Sequence, residues 1–148
     1  MPDLMNETPV DPAEGWVADH VHKYAQSNGT EGHFWGDNVP TLLLTTRGKR
    51  SGVARRTALI YARDGDDYVV TASYGGSPTH PDWYLNIEAD PHVVLQVGEE
   101  RFRARARRDT PADRAHLWGL VTAVWPDYDA YAKKTTREIP VVVFTPET

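Results

Sequence analysis

The sequence contains no cysteine, no long apolar run and no metal-binding motif, and each absence narrows the classes of function. Without cysteine there is neither a disulfide framework nor a thiolate metal site. No apolar run approaches the roughly 20 residues that cross a bilayer, and the first residues lack the basic and apolar segments of a signal peptide. We therefore expect a cytoplasmic protein without an integral membrane segment, and nothing in the sequence supports peripheral membrane contact.

Three catalytic signatures are also missing. His20 and His22 are two residues apart, unlike the histidine pair of a helical zinc site, so we expect no metal centre. No Gly-x-Ser-x-Gly elbow points to a hydrolase. Gly48 and Gly52 do not have the spacing of a phosphate-binding P-loop.

What is present is the composition of an ordinary globular domain. The chain has 148 residues, of which 40% are hydrophobic and 25% charged, with a net charge of -5. Five Trp and seven Tyr are unusually many, and such rings line pockets and interfaces as well as cores. We expect one domain, in which an N-terminal arm and short helix (residues 1–37) precede a β-rich body (residues 38–148).

The order of predicted elements indicates an α+β fold. Pro and acidic residues predict a loose arm over residues 1–14, and a short helix is expected over residues 16–26. The ordered body should begin near Val39. Six strand-like runs follow, namely TLLLTTR, TALIYARD, DYVVTASY, HVVLQV, RFRARARR and IPVVVFT. About six mostly antiparallel strands with inserted helices suggest a small β-barrel.

Two helices are predicted between the strands, and a third follows them closely. The first lies within THPDWYLNIEADP, where Thr79 could cap the helix and Pro91 ends it. The second carries an apolar stripe at helical spacing, which we expect to face the core: Leu117, Leu120, Val121, Val124 and Trp125. After Pro126 a short helix places Tyr128 and Tyr131 on one face.

Two stretches are rich in arginine. The turn from Thr45 to Arg56 holds five cations around Gly48 and Gly52, so it is either an anion-binding loop or a solvated hairpin turn. Alternation along RFRARARR puts all its odd-numbered arginines on one strand face. We interpret that face as solvated and paired with acidic groups, and we expect no nucleic-acid partner.

Two further segments have both a structural and a functional interpretation. In SYGGSPTHPDWYLN a strand end, two glycines and a helix start could form an anion cradle or a plain connection. The rings of Trp125, Tyr128 and Tyr131 could fill the core, or their polar groups could orient a substrate.

Four segments together resemble one family, the deazaflavin-dependent nitroreductases that use reduced coenzyme F420 and adopt a split β-barrel. They are LLTTRGKRSGVARRTALIY, ASYGGSPTHPDWYLNIEADP, VWPDYDAY and TTREIPVVV, in the family's order. The resemblance implies that coenzyme F420, in its reduced form F420H2, is the cofactor. It also implies the residues that bind the cofactor, which are Lys49, Arg50, Ser51, Arg55, Arg56, Thr57, Ala58, Leu59, Ile60, Thr71, Ala72, Ser73, Tyr74, Asp82, Trp83, Tyr84, Leu85, Asn86 and Tyr128.

The implied reaction is hydride transfer to a small electron-poor acceptor, such as an enone, a quinone or a nitroaromatic. We expect Ser73 and Tyr128 to donate hydrogen bonds to the acceptor, with Tyr131 and Trp125 as the pocket wall. The family's nitroimidazole-activating member has tyrosines at Ile60 and Trp125, which favours enone or quinone-like acceptors here. An FMN-dependent split-barrel oxidoreductase and a non-catalytic ligand-binding barrel are the alternatives, and the protein could be a monomer or a homodimer.

Overall fold

The centre of the protein is a curled antiparallel sheet, which the computed structural model describes together with its helices over residues 3–12, 15–35 and 39–147. The strands are β1 (Phe34–Trp35), β2 (Val39–Arg47), β3 (Ala54–Ile60), β4 (Ala62–Asp64), β5 (Asp67–Thr71), β6 (His92–Val97), β7 (Glu100–Arg108) and β8 (Val141–Pro146). The helices are α1 (Trp16–Gln26), α2 (Asp82–Ala89), α3 (Arg114–Val124) and α4 (Asp127–Lys134). Short 3-10 turns lie at Leu4–Asn6 and Tyr74–Gly76.

The strand order closes the sheet on itself. Apart from β1, which pairs with the start of β2, the order is β3-β2-β6-β7-β8-β5-β4, and every pair in it is antiparallel. The two end strands, β3 and β4, are consecutive in the chain and are joined through Tyr61 alone. A sheet whose end strands are joined in this way must curl, and the result is the split β-barrel that the sequence predicts.

Strand alternation gives β3 two different faces. Leu59 lies opposite Leu42 in the β2–β3 register and packs with it in the barrel core. Ala58 lies opposite Leu43, and both pack on the other side against Tyr24 of α1. The strand that the sequence assigns to the cofactor therefore contacts the barrel interior with one face and α1 with the other.

Helices α3 and α4 cover the outside of the barrel, and the apolar spacing of α3 predicts the face that it buries. Leu117 and Val121 of α3 are buried against Val69 and Val141 of the sheet, and Tyr128 of α4 joins the same cluster. In the ranges described, no helix is both long and apolar enough to cross a membrane.

Two local predictions need correction. The run TALIYARD is divided between β3 and β4, because the Tyr61 N–H turns to donate to the Pro40 carbonyl at 3.2 Å. Thr79 does not cap α2: Pro81 occupies the cap position, and the Thr79 hydroxyl contacts the Ser77 hydroxyl at 3.3 Å.

The prediction of a loose N-terminal arm is wrong for residues 3–12. Leu4 is buried against Ala54 and Val94. Val10 extends the sheet beside β3: its N–H donates to the Ala54 carbonyl at 2.8 Å, and its carbonyl accepts from the Arg56 N–H at 2.9 Å. The arm is therefore an added edge of the barrel rather than a loose extension.

Candidate active site

A large cleft of about 1340 Å³ opens along the edge of β3. Its walls come from the turn between β2 and β3, the start of α2, the segment after β5, the α3–α4 corner, and the N-terminal arm with α1. Elements far apart in the sequence thus converge on one space, and almost all of the predicted site residues line it.

The predicted residues that line the cleft are Lys49, Arg50, Ser51, Arg55, Arg56, Thr57, Ala58, Leu59, Ile60, Thr71, Ser73, Tyr74, Asp82, Trp83, Leu85, Asn86, Trp125, Tyr128 and Tyr131. Ala72 and Tyr84 do not line it. Both are buried in the main core, where Tyr84 packs its ring on His80 at a centroid distance of 4.8 Å. Side chains alternate in direction along the extended chain after β5, so that of Ala72 points away from those of Thr71 and Ser73. The helical rotation of α2 points the Tyr84 side chain away from the cleft.

The basic turn at one end of the cleft has a fixed backbone. The Gly48 N–H donates to the Val53 carbonyl at 2.8 Å, and the Gly52 N–H donates to the Gly48 carbonyl at 2.9 Å. Gly52 has φ of +69°, which glycine adopts without strain. The Val53 N–H donates to the Ser51 hydroxyl oxygen at 3.1 Å, so the hydroxyl hydrogen of Ser51 is available to another acceptor.

Asn86 of α2 holds this turn against the barrel. Its side-chain oxygen accepts from the Lys49 N–H at 2.9 Å, and its side-chain nitrogen donates to the Thr46 hydroxyl at 3.0 Å. Asn86 is buried and its bond to Thr46 is shielded from water, so a lost partner there would be costly. One amide thereby fixes the distance between α2 and the cationic turn.

The cations of this region fall into two groups. The Arg47 guanidinium pairs with Glu7 at 2.5 Å, and that of Arg56 pairs with Asp11 at 2.7 Å. By contrast, no carboxylate of the described residues forms a salt bridge with any of the three exposed cations on the cleft, which are Lys49, Arg50 and Arg55. Uncompensated positive charge at a concave surface favours an anionic ligand.

Hydroxyl and aromatic groups occupy the other end of the cleft. Thr71, Ser73 and Tyr128 are all buried, and the Thr71 hydroxyl donates to that of Ser73 at 3.3 Å. Burial raises the pKa of Tyr128 to about 12. A side-chain hydrogen bond with Thr71 lowers the pKa by a smaller amount. A tyrosine phenol is neutral at physiological pH, and burial of Tyr128 favours the neutral form further, so it can serve as a hydrogen-bond donor.

The aromatic rings around Tyr128 form a connected wall. Tyr128 and Tyr131 meet edge to face with ring centroids 6.0 Å apart, and the Trp125 indole N–H donates to the Tyr131 hydroxyl at 3.3 Å. The segment after β5 approaches this wall closely at Gly76, where a Cβ would lie only 2.8 Å from the Tyr131 carbonyl oxygen. Glycine at this position is therefore required by the packing.

The N-terminal arm and the start of α1 supply cleft residues that sequence reasoning missed. They are Val10, Asp11, Pro12, Trp16 and Val17. One signal could have revealed the docked arm: the acidic residues Asp3, Glu7 and Asp11 recur every four positions, and each pairs with an arginine of the sheet. Charge complementarity between two segments is visible in sequence, but their pairing is a tertiary property.

Comparison with known proteins identifies the family of the chain. Residues 16–146 match the family described as F420H(2)-dependent quinone reductase. An F420H(2)-dependent quinone reductase of Mycobacterium tuberculosis is 43% identical over 129 residues, which cover 85% of this chain and 87% of the relative.

Two solved structures support the same assignment. An F420-H2 dependent reductase superposes with a TM-score of 0.66 at 38% identity, covering 71% of this chain and 93% of its own. A structure described as a domain-swapped dimer gives a TM-score of 0.69 at 34% identity, covering 87% of this chain and 96% of its own. The sequence-based recognition of a reduced-F420-dependent family is confirmed, with quinone reductase as the family's description. The chain belongs to the F420H(2)-dependent quinone reductase family.

Proposed function

We propose that this protein is an F420H2-dependent oxidoreductase that passes a hydride from the reduced deazaflavin to a small quinone, enone or nitroaromatic. One observation carries the proposal: a single cleft joins exposed cations, which pair with no carboxylate in residues 3–12, 15–35 and 39–147, to a buried hydroxyl and aromatic wall. Such a cleft suits a ligand that has an anionic tail and a flat reactive ring. Family membership supplies the identity of that ligand.

The cationic end fits the tail of coenzyme F420, which carries a phosphate and several carboxylates. Lys49, Arg50 and Arg55 would donate charge-assisted hydrogen bonds to those groups, and the Ser51 hydroxyl would add a neutral one. Asn86 would set the position of the turn from behind. Arg56 is already bound by Asp11, so its charge is less available than the sequence suggested.

The opposite end fits the ring system and the acceptor. The coenzyme supplies a hydride from a carbon atom, and its redox chemistry is its own. The protein residues orient the acceptor and stabilise the negative charge that it gains. Ser73 accepts from Thr71, which leaves its own hydrogen for the acceptor, and the neutral Tyr128 phenol supplies a second donor.

The surrounding wall excludes water from these donors. Tyr128 and Ser73 are each less than a tenth exposed, and the rings of Tyr131 and Trp125 lie beside them. Electrostatic interactions are stronger in such a low-dielectric pocket than in water. The wall is apolar and flat-sided, which favours planar acceptors such as quinones and enones.

Three attributes of the proposed enzyme are inferred from evidence other than the cleft. We infer a cytoplasmic location from the sequence. We infer activity on nitroaromatic compounds from the resemblance described above. A homodimer is supported by the relative described as a domain-swapped dimer. All three attributes are proposals for this chain.

Equilibrium titration with oxidised F420, followed by quenching of its fluorescence, tests the proposal. We expect saturable binding that weakens as salt is added, because exposed cations bind the anionic tail. A parallel titration with FMN should give no comparable binding. Tight FMN binding without F420 binding would replace the proposal with the FMN-dependent alternative, and F420 binding without oxidation of F420H2 by menadione would indicate a carrier.

A further inference from the structure

Arg137 connects the chain between α4 and β8 to the segment that carries Ser73. Its guanidinium donates to the carbonyls of Ser73 at 2.7 Å, Ser77 at 2.8 Å and Ala72 at 3.1 Å. All three acceptors are main-chain groups of one short segment, and Arg137 itself does not line the cleft. We propose that Arg137 is a positioning residue, which fixes the Ser73 hydroxyl and the adjoining cleft wall through the backbone.

The segment needs such support because its own structure is strained. Tyr74 has φ of +47°, a left-handed conformation that costs energy for a residue with a side chain. The 3-10 turn at Tyr74–Gly76 has no side-chain cap. After Ala72, whose N–H donates to the Pro140 carbonyl at 2.9 Å, the segment leaves the sheet ladder. The guanidinium replaces that ladder with three bonds from one rigid group.

The charge and the surroundings of the Arg137 guanidinium suit this role. Among the described residues it forms no salt bridge with a carboxylate, so its donors are directed at the carbonyls. Burial lowers the pKa of Arg137 from its ordinary value, which indicates a partly desolvated cation. A desolvated guanidinium bonds carbonyls more strongly than an exposed one would.

His80 completes the arrangement from the other side. The distance from the Arg137 Nη1 to the His80 Nδ1 is 3.1 Å, and arginine can only donate. The His80 Nδ1 must therefore accept, which requires the neutral imidazole with its proton on Nε2. Protonation of His80 would remove the acceptor and place two cations in contact. Besides Arg137, the groups whose charge acts on His80 are Glu88 and Arg108, and the Tyr84 ring packs on it.

The inference rests on the proposed function for its kinetic readout, and hydrogen exchange supplies a readout that needs no cofactor. The Gly76 and Ser77 amides donate to the carbonyls of Ser73 and Tyr74 at 2.9 and 3.1 Å. In Arg137→Ala we expect both amides to exchange faster by at least the factor of about 10 that one charge-assisted bond supplies. Arg137→Lys should be intermediate, because one ammonium cannot reach three carbonyls.

The kinetic readout is kcat/KM for the acceptor with F420H2, together with the affinity for oxidised F420. Arg137→Ala should lower kcat/KM by about 10- to 100-fold through kcat, and guanidinium ions should restore part of it. The matched control is Arg114→Ala, because Arg114, like Arg137, does not line the cleft and donates to a main-chain carbonyl, but its acceptor is Ile139 at 2.9 Å in the α4–β8 connection and not the Ser73 segment.

The outcomes separate the two proposals. If wild-type protein does not bind F420 but Arg137→Ala still speeds exchange at Gly76 and Ser77, the proposed function fails and the positioning role stands. If exchange and kcat/KM in Arg137→Ala match the wild type, the positioning role is wrong. It is equally wrong if Arg114→Ala reproduces both effects, because faster exchange and lower kcat/KM would then result from a general loss of stability.

Discussion

The carboxylate of Asp11 accepts two hydrogen bonds from the Arg56 guanidinium, at 2.7 and 2.8 Å, on the wall of the cleft. This pair fastens the N-terminal arm to β3 and occupies a cation that would otherwise face the anionic tail of a cofactor. If the proposed tail site is correct, we expect the arm and the cofactor to compete for this positive charge.

Asp11→Asn should strengthen F420 binding a few-fold, because it releases the charge of Arg56. It should also lower the free energy of unfolding by about 1 kcal/mol or less, since the pair is partly exposed. Fluorescence titration and urea unfolding measure the two effects. The matched control is Glu7→Gln, which breaks the pair with Arg47 outside the cleft and should affect only stability. Equal binding by wild type and Asp11→Asn would show that the pair does not compete.

The double variant Lys49→Ala, Arg50→Ala should lose most of the affinity for F420, by about 10-fold or more per charge-assisted contact removed. Its residual binding should depend less on salt than that of the wild type. The charge-matched control is Arg101→Ala, Arg105→Ala on the outer face of β7, which should bind normally. A similar loss in both double variants would mean that net charge, and not the turn, governs binding.

Asn86→Ala should destabilise the protein by about 1 to 3 kcal/mol, because it leaves the Lys49 N–H and the Thr46 hydroxyl without their buried partner. It should also weaken F420 binding, since the basic turn loses its attachment to α2. Urea unfolding and titration test the two effects separately. Asn86→Asp keeps an acceptor for the Lys49 N–H, so its unfolding free energy should lie between those of the wild type and Asn86→Ala. An unfolding free energy equal to that of the wild type would contradict the role of Asn86.

Acidic pH should destabilise the fold. Burial lowers the pKa of His20, His33 and His80 below the ordinary value of 6.5, so the unfolded chain binds protons at a pH where the folded chain does not. Stability is therefore full above about pH 6.5 and falls as the pH drops toward the lowered values. Melting temperatures measured between about pH 7.5 and pH 5 should decrease steadily, and the decrease should be smaller in His33→Gln. A flat profile over that range would show that these histidines are not shielded.

Local patterns in the sequence predicted most of the elements. The helix expected over residues 16–26 is α1, and the alternation of arginine and alanine in β7 places its arginines outward. Hydrophobic spacing also identified α3 and its buried Leu117 and Val121. These features depend on residues close in the sequence, so local propensity and periodicity determine them.

The missed features depend on contacts between distant segments. The docked arm relies on Val10 pairing with β3, and no local pattern in an acidic, proline-rich stretch indicates a strand partner. Arg137 was part of a recognised motif, yet its role is hidden because it bonds main-chain carbonyls, which every residue has. The resemblance assigned Ala72 and Tyr84 to the site together with their neighbours, and their side chains lie in the core and do not line the cleft.

Tyr128→Phe should lower kcat/KM for the acceptor by about 10-fold or more while leaving the affinity for F420 nearly unchanged, because the phenol acts on the acceptor. Steady-state kinetics with menadione and with cyclohexenone measure kcat/KM, and fluorescence titration measures the affinity for F420. Tyr131→Phe keeps the ring of the wall and should have a smaller effect. If Tyr128→Phe weakens F420 binding and leaves kcat intact, the phenol contacts the cofactor instead.

The most direct measurement follows the hydride itself. Reduced F420 carrying deuterium at its reactive carbon is mixed anaerobically with the enzyme and cyclohexenone, and the product is analysed for the position of the label. We predict that the cyclohexanone carries deuterium on the former β-carbon and that the Lys49→Ala, Arg50→Ala variant forms far less of it at the same cofactor concentration. Consumption of labelled F420 with an unlabelled product, or no consumption with either cyclohexenone or menadione, would contradict hydride transfer in this cleft.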